Sequence, residues 1–132
     1  GTNDLTQYTM AADRLLGDLA HLNNPWQPAV LKMIKMTVEG AQRASVTAGK
    51  KKYVSVCGEA AADPALAVVL IGLGVDTLSM NAGAIPAVAA VLKSVTKEKA
   101  QQIAAIALQQ ISSAEAKESA RKALPILDEL GL

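Results

Sequence analysis

Phenylalanine is missing from this sequence, and the other aromatic residues number three: Tyr8, Trp26 and Tyr53. A platform that stacks successive bases needs more than that, so nucleic-acid binding is not expected. Neither sign of charge dominates. Thirteen Lys+Arg against twelve Asp+Glu leave +1, too weak a field for a duplex or an anionic membrane. A single cysteine, Cys57, excludes an internal disulfide and fits a reducing compartment. A single histidine, His21, beside that one cysteine excludes a zinc site of the usual ligand count. The longest apolar stretch, Ala65 to Val75, is broken by Gly72 and Gly74 and is shorter than the roughly 20 residues of a membrane helix. No basic segment followed by an apolar core opens the chain, so neither a secretory leader nor membrane insertion is expected. A Walker loop, a GxGxxG fingerprint and a Ser–His–Asp set are also missing.

What is present suffices for one modest domain. The 132 residues are 51% hydrophobic with mean hydropathy +0.24, a composition of buried elements rather than disorder. Gly1 to Arg14 is a polar stretch that reads as a loop. Leu5 to Leu22 reads as loop and short helix, with Leu15, Leu16, Leu19 and Leu22 on one face. Asn23 to Pro28 is a break. Val30, Leu31, Ile34, Val38 and Ala41 recur at helical spacing behind Pro28, predicting a helix to about Ser45. Thr47 to Lys52 reads as a loop, and Tyr53 to Cys57 as a short buried strand ended by Gly58. Asp63-Pro64 supplies a cap and a first-turn proline for a helix to Leu73. Val75 to Met80 is a second strand, and Pro86 starts a helix to Val95. Thr96 caps a helix with Ile103, Ile106 and Ala107 or Leu108 on its buried side. Ser112 and Glu115 have capping-box spacing for a last helix through Leu124. Strands separated by helices imply parallel pairing and an α/β fold, helix-rich, with about two parallel strands.

Two places carry chemistry. Asn3 and Asp4 stand together. A carboxylate such as that of Asp4 is a hard oxygen ligand of the kind Mg²⁺ takes. Arg14 offers a bidentate fork for phosphate or carboxylate. On spacing alone, an Asx-turn and a surface ion pair are the better explanation of these residues. Cys57 ends a strand, the edge at which parallel α/β proteins do chemistry. A thiol can donate a proton or act as a nucleophile. Taken alone, however, a lone cysteine is more often a small buried residue, and no second cysteine supports a redox role. His21 reads as a helix-end or packing residue, Lys50 to Lys52 as a solvated loop, and the methionines as packing. Met80, which ends a strand, is the one methionine expected near a site.

The segment Gly-Thr-Asn-Asp-Leu-Thr-Gln-Tyr-Thr-Met-Ala-Ala-Asp-Arg, residues 1–14, strongly resembles the signature of the phosphoenolpyruvate-utilising enzymes. It is most similar to the Enzyme I group, the phosphoenolpyruvate-protein phosphotransferases of the bacterial sugar phosphotransferase system. Cys57-Gly58-Glu59-Ala60-Ala61-Ala62-Asp63-Pro64 resembles a second motif of that family. His21-Leu22, Asn24-Pro25, Pro28 to Leu31, Gly72 to Asp76 and Leu78 to Met80 with Ile85-Pro86 look like it too, so the likeness runs from residue 1 to about 95. Pyruvate phosphate dikinase and phosphoenolpyruvate synthase share part of the first motif and stand as alternatives.

The resemblance implies the C-terminal portion of a (β/α)₈ barrel, incomplete in this chain. Residues 1–95 would be barrel and 96–132 C-terminal helices. It implies a cytoplasmic phosphotransferase that moves the phosphoryl group of phosphoenolpyruvate to a histidine of a separate N-terminal domain and on to the phosphocarrier protein HPr, releasing pyruvate. By motif position Asn3, Asp4 and Arg14 bind substrate, Asp4 ligates Mg²⁺, and Cys57 is the acid that protonates the enolate. It also implies a homodimer. The second metal carboxylate, the earlier strands and the phosphohistidine domain are not among these residues, and the Ser45 to Lys52 loop is longer than is usual for the family. The chain therefore reads as part of something longer, inactive alone; a non-catalytic dimerisation or interaction module is the alternative.

Overall fold

The helix Pro64–Gly72 is apolar all round, and Ala65 through Leu70 are all buried, so it cannot lie on a surface. The rest of the molecule is arranged about it. The computed structural model describes all 132 residues. In chain order the elements are α1 Thr2–Met10, a 3₁₀ segment Gly17–Leu22, α2 Pro28–Ala48, β1 Ser55–Cys57, α3 Glu59–Ala62, α4 Pro64–Gly72, β2 Thr77–Ser79, a 3₁₀ turn Ala82–Ala84, α5 Ile85–Lys93, α6 Lys97–Leu108, α7 Ser113–Lys122 and α8 Ile126–Glu129. The result is helix-rich, with one small parallel sheet.

β1 and β2 pair in parallel, Ser55 with Thr77, Val56 with Leu78 and Cys57 with Ser79, and α3 and α4 connect them. Each strand pairs over three residues, shorter than the five or six expected for each. β1 is not buried: Val56 points inward while Ser55 and Cys57 are exposed. A two-stranded sheet leaves one backbone edge of each strand without a strand neighbour.

Local chemistry sets the helix ends. Asp63 Oδ1 accepts from the backbone N–H groups of Ala65 and Leu66 at 2.9 and 3.1 Å, satisfying two donors that a helix start leaves free. Thr96 caps α6 through Lys99 N–H and Ser112 caps α7 through Glu115 N–H, both at 3.2 Å. Glu115 reaches back to the N–H of Ile111 at 3.3 Å, one residue before the position a standard capping box uses. Pro28 sits in the first turn of α2, which buries Val30, Leu31, Ile34 and Val38 and runs past Ser45 to Ala48. Gly49, at φ 60°, ends it: its N–H turns back to the carbonyl of Val46, and that of Lys50 to the carbonyl of Ser45. The connection to β1, residues 49–54, is therefore set two residues later than the expected Thr47–Lys52 loop.

Three other expectations fail. The polar opening stretch is not a loop: residues 2–10 are helical. Leu15 and Leu16 are exposed, Leu15 at 90%, because residues 11–16 form turns rather than a helix that could turn them inward. Ile106 is exposed while Ile103, Ala104 and Ala107 are buried on the inner face of α6. That face carries small residues because α4 and α6 approach closely: a Cβ on Gly72 would stand 2.1 Å from the carbonyl oxygen of Ala100.

Candidate functional site

Parallel strands deliver their C-terminal ends to one edge of a sheet, and loops gather polar groups there. β1 and β2 do so. Cys57, Gly58 and Glu59 from the first, with Ser79, Met80 and Asn81 from the second, line an open depression of about 600 Å³. Cys57 is exposed, so the packing role that a lone cysteine usually has does not apply. Met80 faces this depression, as its strand-end position predicts.

A second cavity, of about 340 Å³, holds Asn3, Arg14 and Asn23, and Glu59 stands in the walls of both. The two are brought together by α1. Thr2, buried at its first turn, donates its hydroxyl to the carbonyl of Cys57 at 3.0 Å. Gly58, at φ 101°, lies so close that a Cβ there would be 3.4 Å from Thr2 Oγ1 and 3.5 Å from Asn3 Oδ1. The positive φ favours glycine; a Cβ there would make only ordinary van der Waals contacts. Asn3 and Cys57 thus lie on adjoining elements.

Arg14 is placed by α1 as well. Its backbone N–H points to Gln7 Oε1 at 3.4 Å, and its guanidinium lies 3.4 Å from Asp4 Oδ1. Both side chains are exposed, so this pair contributes no more than about 1 kcal/mol and can be exchanged for another anion. The ion pair expected of Arg14 is present. The Asx-turn belongs to Asp13, which accepts from Leu15 N–H at 2.9 Å, and not to Asn3 or Asp4. The N-terminus of α1 has no side-chain cap, unlike those of α4, α6 and α7.

Asp4 offers one accessible hard oxygen donor. No group of three His, Cys, Asp or Glu side chains is placed to hold a metal ion. The donor set fits one ligand of a Mg²⁺ site whose remaining ligands are waters, phosphate oxygens or carboxylates from elsewhere. His21 lies exposed with Nδ1 3.1 Å from the carbonyl of Asp18, in the helix-end role its spacing suggests.

Sequence reasoning missed Thr2, Asn23 and the Trp26–Asp63 contact. Thr2 and Thr6 are buried one turn apart, a hydroxyl stripe that an apolar count does not register. Asn23 buries both polar atoms of its carboxamide without a partner. Trp26, 2% exposed, donates from Nε1 to Asp63 Oδ2 at 3.0 Å. The apolar-to-polar change at Asn23-Asn24-Pro25-Trp26 was the available signal; it reads as a break and nothing more.

The chain is thus of the helix-rich α/β class, with an exposed thiol at the C-terminal end of two parallel strands and an amide and a guanidinium in the adjoining cavity. Comparison with known proteins narrows this class. Residues 1–97 match the family described as PEP-utilising enzyme, PEP-binding domain. A phosphoenolpyruvate-protein phosphotransferase of Streptomyces coelicolor is 46% identical over 124 residues, 94% of this chain and 21% of that protein. One from Haemophilus influenzae is 37% identical over 115 residues, 87% of this chain and 19% of the relative. A multiphosphoryl transfer protein of Xanthomonas campestris is 46% identical over 109 residues, 83% of this chain and 12% of the relative. This chain belongs to the PEP-binding domain family of the PEP-utilising enzymes. It spans about a fifth or less of the length of these relatives.

Proposed function

We propose that these residues form the C-terminal part of the PEP-binding domain of a phosphoenolpyruvate-protein phosphotransferase, residues 1–95 belonging to a (β/α)₈ barrel and 96–132 to helices that follow it. One observation carries this reading: the turn after Cys57 packs on the helix bearing Asn3. It unites the two segments that resemble the family.

In this reading Arg14 and Asn3 hold the phosphate of phosphoenolpyruvate. The Arg14 fork exchanges its weak contact with Asp4 for charge-assisted hydrogen bonds to phosphate oxygens. Asp4 would then be a ligand for Mg²⁺, which when bound would offset charge on the phosphate oxygens. The bond from phosphorus to the enol oxygen breaks. The phosphoryl group passes to an imidazole nitrogen of a histidine on a separate N-terminal domain and on to the phosphocarrier HPr. The enolate left behind takes the proton of the Cys57 thiol at its methylene carbon, giving pyruvate, and solvent returns a proton to the thiolate. A weak acid held close to the reacting carbon is what this step requires; the rest is positioning and charge. The protein acts in the cytoplasm as a homodimer, and residues 1–132 alone are inactive because the phosphorylated histidine lies elsewhere.

The test is pyruvate release by the full-length protein with phosphoenolpyruvate, Mg²⁺ and phosphocarrier. Cys57→Ala should lower kcat by about 10²–10⁴. Unchanged turnover overturns the assignment of Cys57, and turnover by residues 1–132 alone overturns the inactivity. A second reading, a non-catalytic dimerisation module, is favoured by the open edges of β1 and β2. A monomeric native mass at micromolar concentration overturns that one.

A further inference from the structure

The site has two halves, and they are carried by very different parts of the chain. The Cys57 half ends at Asp63, which caps α4, the most deeply buried element of the molecule. The Arg14 half is walled by residues 14–25, a stretch of turns and 3₁₀ helix in which nearly every residue is exposed or partly exposed. Asn23 and Pro25 are its last wall residues, and Asn23 leaves both amide atoms unpartnered. The polar contacts of that wall are local or run from Arg14 to α1, so its place relative to the Cys57 half depends on a further tie.

Trp26 is placed to do so. It follows Pro25 directly, its backbone N–H is held by Asn24 Oδ1 at 3.0 Å, and its indole is buried in the core. Its Nε1–H donates to Asp63 Oδ2 at 3.0 Å while Asp63 Oδ1 caps α4. One carboxylate therefore ties the wall of the anion pocket to the rim of the thiol pocket.

We infer that Trp26 and Asp63 are positioning residues that set the spacing between the group holding the phosphate and the thiol that protonates the product. The inference rests on the catalytic reading above. Neither residue touches substrate in it. Losing their bond leaves the Arg14, Asn3 and Cys57 side chains chemically intact but changes the distance between them.

The test uses the full-length protein. Trp26→Phe keeps an aromatic ring and loses the donor. Asp63→Asn keeps an oxygen for the helix cap and turns an amide N–H₂ toward the indole. Both break one bond from opposite ends. Each should lower kcat for pyruvate release tenfold to a hundredfold, the scale on which a displacement of about 1 Å acts. KM for phosphoenolpyruvate should stay within about twofold, because phosphate binding is untouched. The double variant should be no slower than either single one. The spacing also has a readout apart from turnover: phosphoenolpyruvate protection of Cys57 from alkylation should weaken severalfold in both variants. Multiplicative losses in the double variant, or lowered melting temperatures with kcat and protection unchanged, overturn the inference and leave the catalytic reading standing. Absence of phosphoenolpyruvate turnover in the unmodified protein overturns both.

Discussion

The hydroxyl of Thr2 donates to the carbonyl of Cys57 at 3.0 Å, joining the first turn of α1 to the last residue of β1 across 55 positions of sequence. Thr6, one turn along the same buried face, turns its own hydroxyl back onto the carbonyl of Thr2 at 2.7 Å. The polar helix therefore meets the sheet through the Thr2 hydroxyl, beside the apolar contacts that Leu5 and Met10 make with the core. A hydrogen bond from a buried donor is directional, so it fixes the rotation of α1 about its axis and with it the side to which Asn3 points.

Thr2→Val keeps the shape of the side chain and removes the donor. The expected loss is about 1–2 kcal/mol of stability, the scale for one buried hydrogen bond left half-made. Chemical denaturation measures it. Alkylation of Cys57 should become faster by severalfold as the end of β1 loosens, and Thr2→Ser should restore both values. Equal stability in the valine variant would show that the packing, not the bond, holds α1.

Gly72 is the point of closest approach between α4 and α6. A Cβ there would stand 2.1 Å from the carbonyl oxygen of Ala100 and 2.9 Å from Ala104 Cβ, and backbone atoms cannot swing away as a flexible side-chain end can. Gly72→Ala should lose about 3 kcal/mol or more, at the upper end for overpacking, despite the better helix propensity of alanine. Gly17→Ala is the control: nothing lies within 4 Å of its Cβ position, and its effect should stay within about 0.5 kcal/mol. Denaturant midpoints of the two variants make the comparison.

At the opposite end of the sheet, Lys51 Nζ lies 2.7 Å from Asp76 Oδ1, and Val54 N–H donates to Asp76 Oδ2 at 2.9 Å. The Lys51 hydrogen bond, and after it the Val54 bond, hold the Asp76 carboxyl below its ordinary value; the same Asp76 bond raises Lys51. A depressed carboxyl stabilises the fold above its unfolded value, and that stabilisation is lost as pH falls through the folded value. A raised ammonium contributes below about pH 10.4 and is lost as pH rises through its folded value. The difference in melting temperature between the unmodified protein and Asp76→Asn should therefore be constant between about pH 6 and 8 and narrow below about pH 4. A difference that widens with acid would contradict the pairing.

What the sequence made legible was whatever depends on one residue's own chemistry. Asp63, Thr96 and Ser112 announce helix starts because their side chains complete the backbone there, and Pro28 and Pro86 do so because they need no donor. Relations between distant elements were not legible. α1 read as a loop because its inward residues, Thr2 and Thr6, are polar. Ile106 read as core because only the approach of Gly72 to Ala100 shows that α6 must turn its small residues inward. The residues of the candidate site could be named from the two segments that resemble the family. That the turn after Cys57 meets Asn3 is a fact of folding, and so is the bond from Trp26 to Asp63, which joins residues 37 apart.

Arg14 tests whether the first half of the site binds an anion through geometry or through charge alone. Its guanidinium rests against Asp4 at 3.4 Å with both groups exposed, so an arriving phosphate has little to displace. Arg14→Lys preserves the charge, and the lysine can still meet Asp4. It loses the planar fork that grips two phosphate oxygens together. If charge alone governs, the lysine variant of the full-length protein should keep its KM for phosphoenolpyruvate, and only Arg14→Ala should lose binding. If the fork governs, KM should rise about tenfold or more in the lysine variant, in line with about 1.5–3 kcal/mol for hydrogen bonds to charged groups. We expect the second outcome, because Asn3 stands in the same cavity and a phosphate held there must satisfy directional donors on more than one side. The Trp26 and Asp63 variants should show the opposite division, with kcat lowered and KM kept. The two sets of measurements therefore separate the holding of the phosphate from the placing of the thiol.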